Sequence, residues 1–442
     1  MRRIEGKLLL IYFVLITMIV GLIVMGYFII DGKKKDNLPI MKIVLNDTTL
    51  EVINTQSKEE KYVGNRVLID DDGDMLEYND VTLSGHGNAS WEMGKKSYNL
   101  KFKNKVDLLG LGKGKKWVLV SNGFDGTSMR NDLAYYIARL VDSSYKIRGT
   151  FVKLMMGDED LGVYYLVNKI GIDKNSVDLR EFDGLLIELD NPYCEAEEKW
   201  QRTERIGDCL VLKDVVNDDD FVDASWQDFI KQYNEFEEAV LNQDFIRMSE
   251  LIDIESWAKY YLIGEFASNP DMYVTSWYLY KDGADDRIHS VLAWDFDTAF
   301  GNKNWGDWSE EFYSPTNMMA RLEYTFGNDE NIIKEDVVGC KYDTGGSIMS
   351  PMMCHLIEMP EFREEVIRIY NSTLKNRRDE IIEYIKERAN YLRDDIIVNN
   401  EKWNLGSFDE EVDYLIWWVE ERFKYFDGSY FNRLLENTAS EL

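Results

Sequence analysis

Apolar residues change their spacing along this chain several times, and each change predicts a different kind of element. Leu8 to Ile30 is an uninterrupted uncharged run of 23 residues, long enough to cross a hydrocarbon core of about 30 Å as a helix. The exit from that run, Tyr-Phe-Ile-Ile-Asp-Gly-Lys, has no small-x-small cleavage site, so it reads as an uncleaved anchor rather than a signal peptide. After a polar linker at 31–37, strand-like runs follow at 38–45, 62–69, 81–83, 97–102 and 116–120. Helical spacing then appears at 129–141, where Leu133, Ile137 and Leu140 share one face. Two strands at 149–156 and 162–167 flank the turn Gly157-Asp-Glu-Asp160 as a hairpin, and Leu185–Leu189 is a further buried strand.

Helical spacing returns over 226–267. It is broken by two short runs, Thr275–Tyr280 and His289–Ala293, which predict a hairpin within 269–301. Residues 302–350, rich in Asn, Gly, Asp and Trp, predict irregular loops, and 352–435 is again largely helical. The predicted fold class is α+β: a tail at 1–7, a membrane anchor at 8–30, a linker at 31–37, a β-rich part at 38–190 and a mainly helical part at 191–442.

Charge narrows the partners. The chain carries a formal net charge of −30, and beyond residue 37 it holds 45 basic against 78 acidic residues. Such a field repels a phosphate backbone, which excludes nucleic acid, and favours basic protein substrates or divalent cations. Basic residues flank the apolar run almost evenly (Arg2, Arg3 and Lys7 before it, Lys33–Lys35 after it), so the positive-inside rule barely discriminates. A short N-terminal anchor bearing a large domain predicts a single-pass protein of the cell membrane, with that domain outside the cytoplasm.

Four cysteines without any C-x-x-C argue against zinc, while Cys194–Cys209 or Cys340–Cys354 could pair in an oxidising compartment. His86, His289 and His355 are the only histidines, and none stands in a nucleophile pattern, which disfavours His-based hydrolysis. Trp305 and Trp308, in a Gly/Asn-rich loop, are candidates for stacking on sugar rings, whereas Trp417-Trp418 lies in a helical apolar run and reads as core packing.

The residue types suited to chemistry lie at the ends of the hairpin. Asn269-Pro-Asp271 precedes it, and Trp294-Asp295-Phe-Asp297 follows it. Two acidic points at one end of a hairpin suit phosphoryl transfer, where one carboxylate orients a hydroxyl and another holds Mg²⁺ on nucleotide phosphates. Upstream, Gly85 and Gly87 beside Asn88 form a bend able to present N–H groups to phosphate. Lys95, Lys96 and Lys101 follow it as phosphate-neutralising candidates. Arg130, in the first turn of the 129–141 helix, opposes the helix dipole and calls for a carboxylate or phosphate partner.

These motifs, in order, resemble those of the CotH-type spore-coat kinases. They are Gly85-x-Gly87-Asn88-Ala89-Ser90-Trp91, Lys95-Lys96-Ser97-Tyr98, Leu108-Leu109-Gly110, Lys116-Trp117-Val118-Leu119, Met129-Arg130-Asn131, Gly162-Val163-Tyr164-Tyr165-Leu166, Asn269-x-Asp271, Tyr278-x-Tyr280-Lys281-Asp282 and Trp294-Asp295-Phe296-Asp297. The resemblance spans about residues 38–385. It implies an atypical protein-kinase-like bilobal fold using ATP with Mg²⁺ or Mn²⁺ to phosphorylate Ser or Thr on a protein of the cell envelope or spore coat. It implies Asp271 as the catalytic aspartate, with Asp295 as metal ligand, Asp297 sharing the metal or bracing the loop, and Ser276 at a second metal position. Gly85, Gly87 and Asn88 match the loop over the phosphates. Lys101, then Lys96, is the nucleotide lysine. The chain departs from relatives at Ser84 and His86, where arginines are usual, at Asn168, where Glu is common, and at Ser276, where Asn is common. Those departures keep open an alternative, a catalytically weak or inactive assembly factor of the same layers.

Overall fold

The computed structural model describes residues 37–217, 222–304, 306, 310, 312–323, 332–333 and 349–432. The anchor expected at 8–30 lies outside the described residues, as do Trp305, Trp308 and Cys340. Among the described residues no helix is long and apolar enough to cross a membrane.

Seven strands build the N-terminal part: β1 (Ile40–Val44), β2 (Tyr62–Asp71), β3 (Asp74–His86), β4 (Ser97–Asp107), β5 (Lys113–Val120), β6 (Gly149–Met156) and β7 (Glu159–Asn168). They close into a barrel in the order β1-β2-β3-β4-β5-β7-β6, antiparallel except where β1 meets β6 in parallel. Closure leaves no sheet edge unpaired. Alternation decides which side chains fill it: Met41 and Ile43, Val67 and Ile69, Val81 and Leu83, Leu100 and Phe102, and Trp117 and Leu119 all point inward. Strand β3 is far longer than the 81–83 run expected. Its first half is exposed, with Met75 and Leu76 adjacent rather than alternating, so it is held by ladder bonds to β2 and leaves no hydrophobic period to detect.

Three helices interrupt the barrel strands: α1 (Leu50–Thr55), the single turn α2 (Ala89–Glu92) and α3 (Arg130–Val141). Nearly every residue of α3 is buried, because it is packed between the barrel and the rest of the chain. A second sheet, ordered β12-β11-β8-β10-β9, lies beyond it. It comprises β8 (Leu185–Leu189), β9 (Trp200–Arg202), β10 (Cys209–Val215), β11 (Trp277–Lys281) and β12 (His289–Ser290). Thus β8 pairs with β10 and β11 rather than with the barrel.

Around that sheet stand α4 (Val222–Leu241), α5 (Phe245–Leu251), α6 (Ile254–Ala267), α7 (Met352–Glu358), α8 (Pro360–Thr373), α9 (Arg378–Trp403) and α10 (Phe408–Tyr425). The helical spacing over 226–267 resolves into three helices because Asp244 and Asp253 each cap a new start, accepting from Arg247 N at 3.0 Å and Ser256 N at 3.0 Å. One continuous apolar core joins α3, the second sheet and the C-terminal helices. Helix α9 also clasps β7, with Asn399 Oδ1 accepting from Val163 N at 3.1 Å and Trp403 Nε1 donating to Leu161 O at 3.0 Å. The structure is α+β, sheet-rich first and helical later. Cys194 and Cys209 form a buried disulfide across the β8–β10 connection, and Cys354 is also disulfide-bonded.

Candidate active site

Helix α6 ends in a left-handed residue, Ser268 (φ 48°), whose N–H bonds the last turn. The chain then turns sharply through Asn269-Pro270-Asp271. Asn269 makes this turn a joint: its Oδ1 accepts from Asp271 N at 3.2 Å, and its Nδ2 donates to the carbonyl of Asp295 at 3.0 Å. Thr298 Oγ1 donates to Asp271 Oδ2 at 3.2 Å. Strands β11 and β12 pair only at Leu279–Ser290 and Tyr280–His289, which is enough to return the chain so that Asp295 faces back toward Asp271. The Asp295–Asp297 segment is tied to the first half of the molecule as well. Asn131 Oδ1 on α3 accepts from Phe296 N at 2.7 Å, and Asn302 Nδ2 donates to Asp297 O at 2.7 Å and Phe124 O at 3.0 Å.

Asp271, Ser276, Asp295 and Asp297 all line one cleft of about 500 Å³ between the barrel and the second sheet, a volume in the ordinary range for small-ligand sites. Asp295 and Ser276 both adopt left-handed backbone conformations (φ 61° and 55°). Strain of that kind in non-glycine residues collects at functional sites. Ser276 Oγ donates to Asp295 Oδ2 at 3.5 Å, a long contact.

The carboxylates disturb one another. Desolvation and the charge of Asp295 push the Asp271 carboxyl up to about 7, partly offset by the Thr298 bond. Asp295 is raised by desolvation and by Glu188, and Asp297 is raised well above the carboxylate range by burial and then by Asp295, Asp271 and Asp125. Asp190, on the same wall, reaches about 6 through desolvation and Glu188, against the 2.9 Å bond from Thr275 Oγ1. Converging carboxyls that resist ionisation together are a donor set for a hard cation or a basic group. Among the described residues no three His, Cys, Asp or Glu side chains are gathered as a closed metal site. Mg²⁺ needs no such cage, since it takes one or two carboxylates together with phosphates and waters, and Asp295 and Asp297 fit that requirement.

The Gly85–Ser90 bend forms the roof of the cleft. Gly85 lies against the α1–β2 connection, its N donating to Lys58 O at 2.9 Å. A Cβ there would stand 2.6 Å from Lys58 Cβ and 2.7 Å from the Trp91 ring. Gly87 (φ 82°) makes the reversal, and Asn88 Oδ1 accepts from Lys58 Nζ. His86, between the glycines, is held neutral by desolvation and by Lys169 and Lys58, at about 3.

The basic groups of the cleft differ from those expected. Lys96 lies outside it, its ammonium bonded to the Trp91 carbonyl and stacked on the Trp91 ring at 4.7 Å. Lys101 lines an adjoining groove on the outer face of the barrel rather than the cleft. Arg130 is fully buried and paired with Asp125, whose other oxygen accepts from Arg130 N at 2.9 Å, with Glu411 at 3.6 Å. It anchors the start of α3, and the carboxylate partner it required is structural. The cleft lysines are Lys58, Lys169 and Lys213. Lys213 meets Glu188 at 3.0 Å and Glu197 at 2.9 Å. Burial works against its charge, but these carboxylates outweigh it and raise its pKa. Among the described residues Lys169 bonds only the amide Asn99 Oδ1, at 3.1 Å, and burial, Lys213 and Lys116 lower its pKa. Asn168 points away from the cleft and donates to Leu111 O at 3.3 Å, so the carboxylate beside the cleft lysines comes from Glu188. One sequence signal marked Glu188: it is the single acid in the buried strand Leu185–Leu189.

A glycine-turn roof, a floor of interacting carboxylates and lysines in the wall define a kinase-like α+β protein. The profile of the family described as CotH kinase protein matches residues 83–426, and the chain belongs to that family. No curated protein matches it.

Proposed function

We propose that this chain is a membrane-anchored atypical protein kinase that transfers the γ-phosphoryl group of ATP to Ser or Thr hydroxyls on an envelope or spore-coat protein. One observation carries the reading: Asp271 and Asp295 share a single cleft beneath the Gly85–Asn88 turn. The Asp271 carboxylate, steadied by Thr298, orients the substrate hydroxyl and receives its proton. The roof N–H groups and Lys169 hold the phosphates, while the Glu188–Lys213 pair fixes the wall. Asp295 and Asp297 would hold the divalent cation, which draws off phosphate charge when bound. The Cys194–Cys209 disulfide supports an extracytoplasmic domain, because such bonds persist in oxidising compartments.

The test uses γ-labelled ATP with Mg²⁺ or Mn²⁺ and a Ser-containing acceptor protein. Asp295→Ala and Asp271→Asn are each expected to lower transfer by about 10²–10³-fold, since positioned charge supplies most of the catalysis. Equal labelling by wild type and Asp295→Ala would reject the kinase reading. A second reading, a non-catalytic assembly factor, is favoured by Ser276, whose hydroxyl engages Asp295 only at 3.5 Å. Absence of ATP·Mn²⁺ binding in calorimetry would select it.

A further inference from the structure

A second groove of about 580 Å³ runs along the outer face of β3, β4 and β5. It adjoins the cleft, since Glu59, Asn99 and Lys169 line both. Five lysines border it (Lys61, Lys101, Lys103, Lys116 and Lys169) against two acids, Glu59 and Asp80. In a chain of net charge −30 this is a local reversal of sign. The lysines are not arranged to avoid one another: Lys101 stands directly opposite Lys116 in the β4–β5 register, and like charges in that position oppose pairing. Asp214 relieves Lys116 at 3.3 Å. Lys61, Lys101 and Lys103 are exposed and make no ion pair among the described residues. Breaches of local pairing rules are expected at functional sites, and an anion bound between these lysines would relieve this one.

We propose that this groove docks a phosphorylated segment of the protein substrate, so that one phosphoserine or phosphothreonine directs the next transfer in the neighbouring cleft. This rests on the kinase reading for its biological use. Phosphate, rather than a carboxylate, is the fitting anion because the groove adds neutral donors to its ammonium groups, the Thr82 and Ser84 hydroxyls. A phosphate ester offers three strong acceptor oxygens and nearly two charges to such a set. Lys101 and Lys103 follow Asn99 at alternate positions of β4, so the groove extends roughly 13 Å from the cleft wall, about four residues of extended peptide. The primed site therefore lies several residues from the acceptor.

The experiment measures anisotropy of fluorescent peptides with the full chain in detergent, in an Asp295→Ala background so that no turnover intervenes. Each peptide carries one acceptor Ser and one phosphoserine at varied spacing. At the best spacing the phosphopeptide is expected to bind about tenfold tighter than its unphosphorylated form. That difference should vanish in Lys61→Gln/Lys103→Gln, while a peptide with Glu in place of phosphoserine binds like the unphosphorylated one. Equal binding of phosphorylated and plain peptides overturns the proposal, as does a preference that survives the double variant. So does capture of the Glu peptide, or of vesicles rich in anionic lipid, as strong as that of the phosphopeptide. In the Asp295-intact protein, a tenfold rise of the ATP KM in Lys101→Gln would assign the groove to the nucleotide and also overturn it. If the wild type transfers no phosphate but the binding pattern holds, the groove stands and the kinase reading falls.

Discussion

Ser276 and Lys169 carry the sharpest consequences at the residue scale. Ser276 holds a left-handed backbone (φ 55°) beside Asp295, a conformation Asn tolerates better than Ser. Ser276→Asn is therefore expected to leave Tm unchanged or higher and to tighten Mn²⁺·ATP binding in calorimetry, because an amide oxygen replaces a long hydroxyl contact. Lys169 is a partly buried cleft cation held by a neutral amide, so Lys169→Met should raise the ATP KM by about 10–100-fold, the worth of one charge-assisted hydrogen bond, with little change in Tm. Arg130→Met should behave in the opposite way. It leaves Asp125 buried without its partner, at a cost of about 3–5 kcal/mol, visible as a lower urea midpoint.

The elements differ in how legible they were. Most barrel strands are legible as short apolar runs, alternating in β1 and continuous in β5 and β7, which are buried on both faces. Helix α1 and the first half of β3 are not. One is six residues long and the other is solvated on both faces, so neither imprints a period. Asp271, Asp295, Asp297 and the glycine bend stood at element ends, where turn residues and acids are conspicuous. Lys169 and Lys213 sit in or beside strands, where a charged residue looks like an edge or a solvated face, and Glu188 is marked only as the lone acid of a buried strand. The bend itself is a packed element. In Gly85→Ala the new methyl meets Lys58 backbone at 2.7 Å, so overpacking of about 1–3 kcal/mol is expected, read as a lower Tm together with weaker ATP binding.

At the scale of the whole molecule, a set of desolvated carboxyls resists ionisation. Asp190 and Asp208 reach about 6, and Asp271 and Glu237 about 7, each chiefly through desolvation. Every one binds its proton more tightly folded than unfolded. Its stabilising contribution is complete below the unfolded value near 4 and is lost as pH rises through 6–7. Asp142, Asp178 and Asp253 are depressed instead, and their contributions disappear only below about pH 4. The metal-free protein should therefore have a higher Tm at pH 5.5 than at pH 8. Mn²⁺ competes with protons at Asp295 and Asp297, so its thermal shift should be larger at pH 8 than at pH 6. A flat Tm across this range would contradict the carboxylate floor.

Alone, the sequence determined the α+β order, the places of most strands, and the acids and glycines set at chain reversals, because periodicity and turn chemistry are local properties. That the strands close into a barrel was decided by tertiary pairing. Which lysines face the cleft, and that Arg130 is an internal strut, depended on tertiary structure. A charge carries no period. Its role is decided by the strand face it occupies and by partners across the fold, as where Asn99 meets Lys169 and Glu188 meets Lys213.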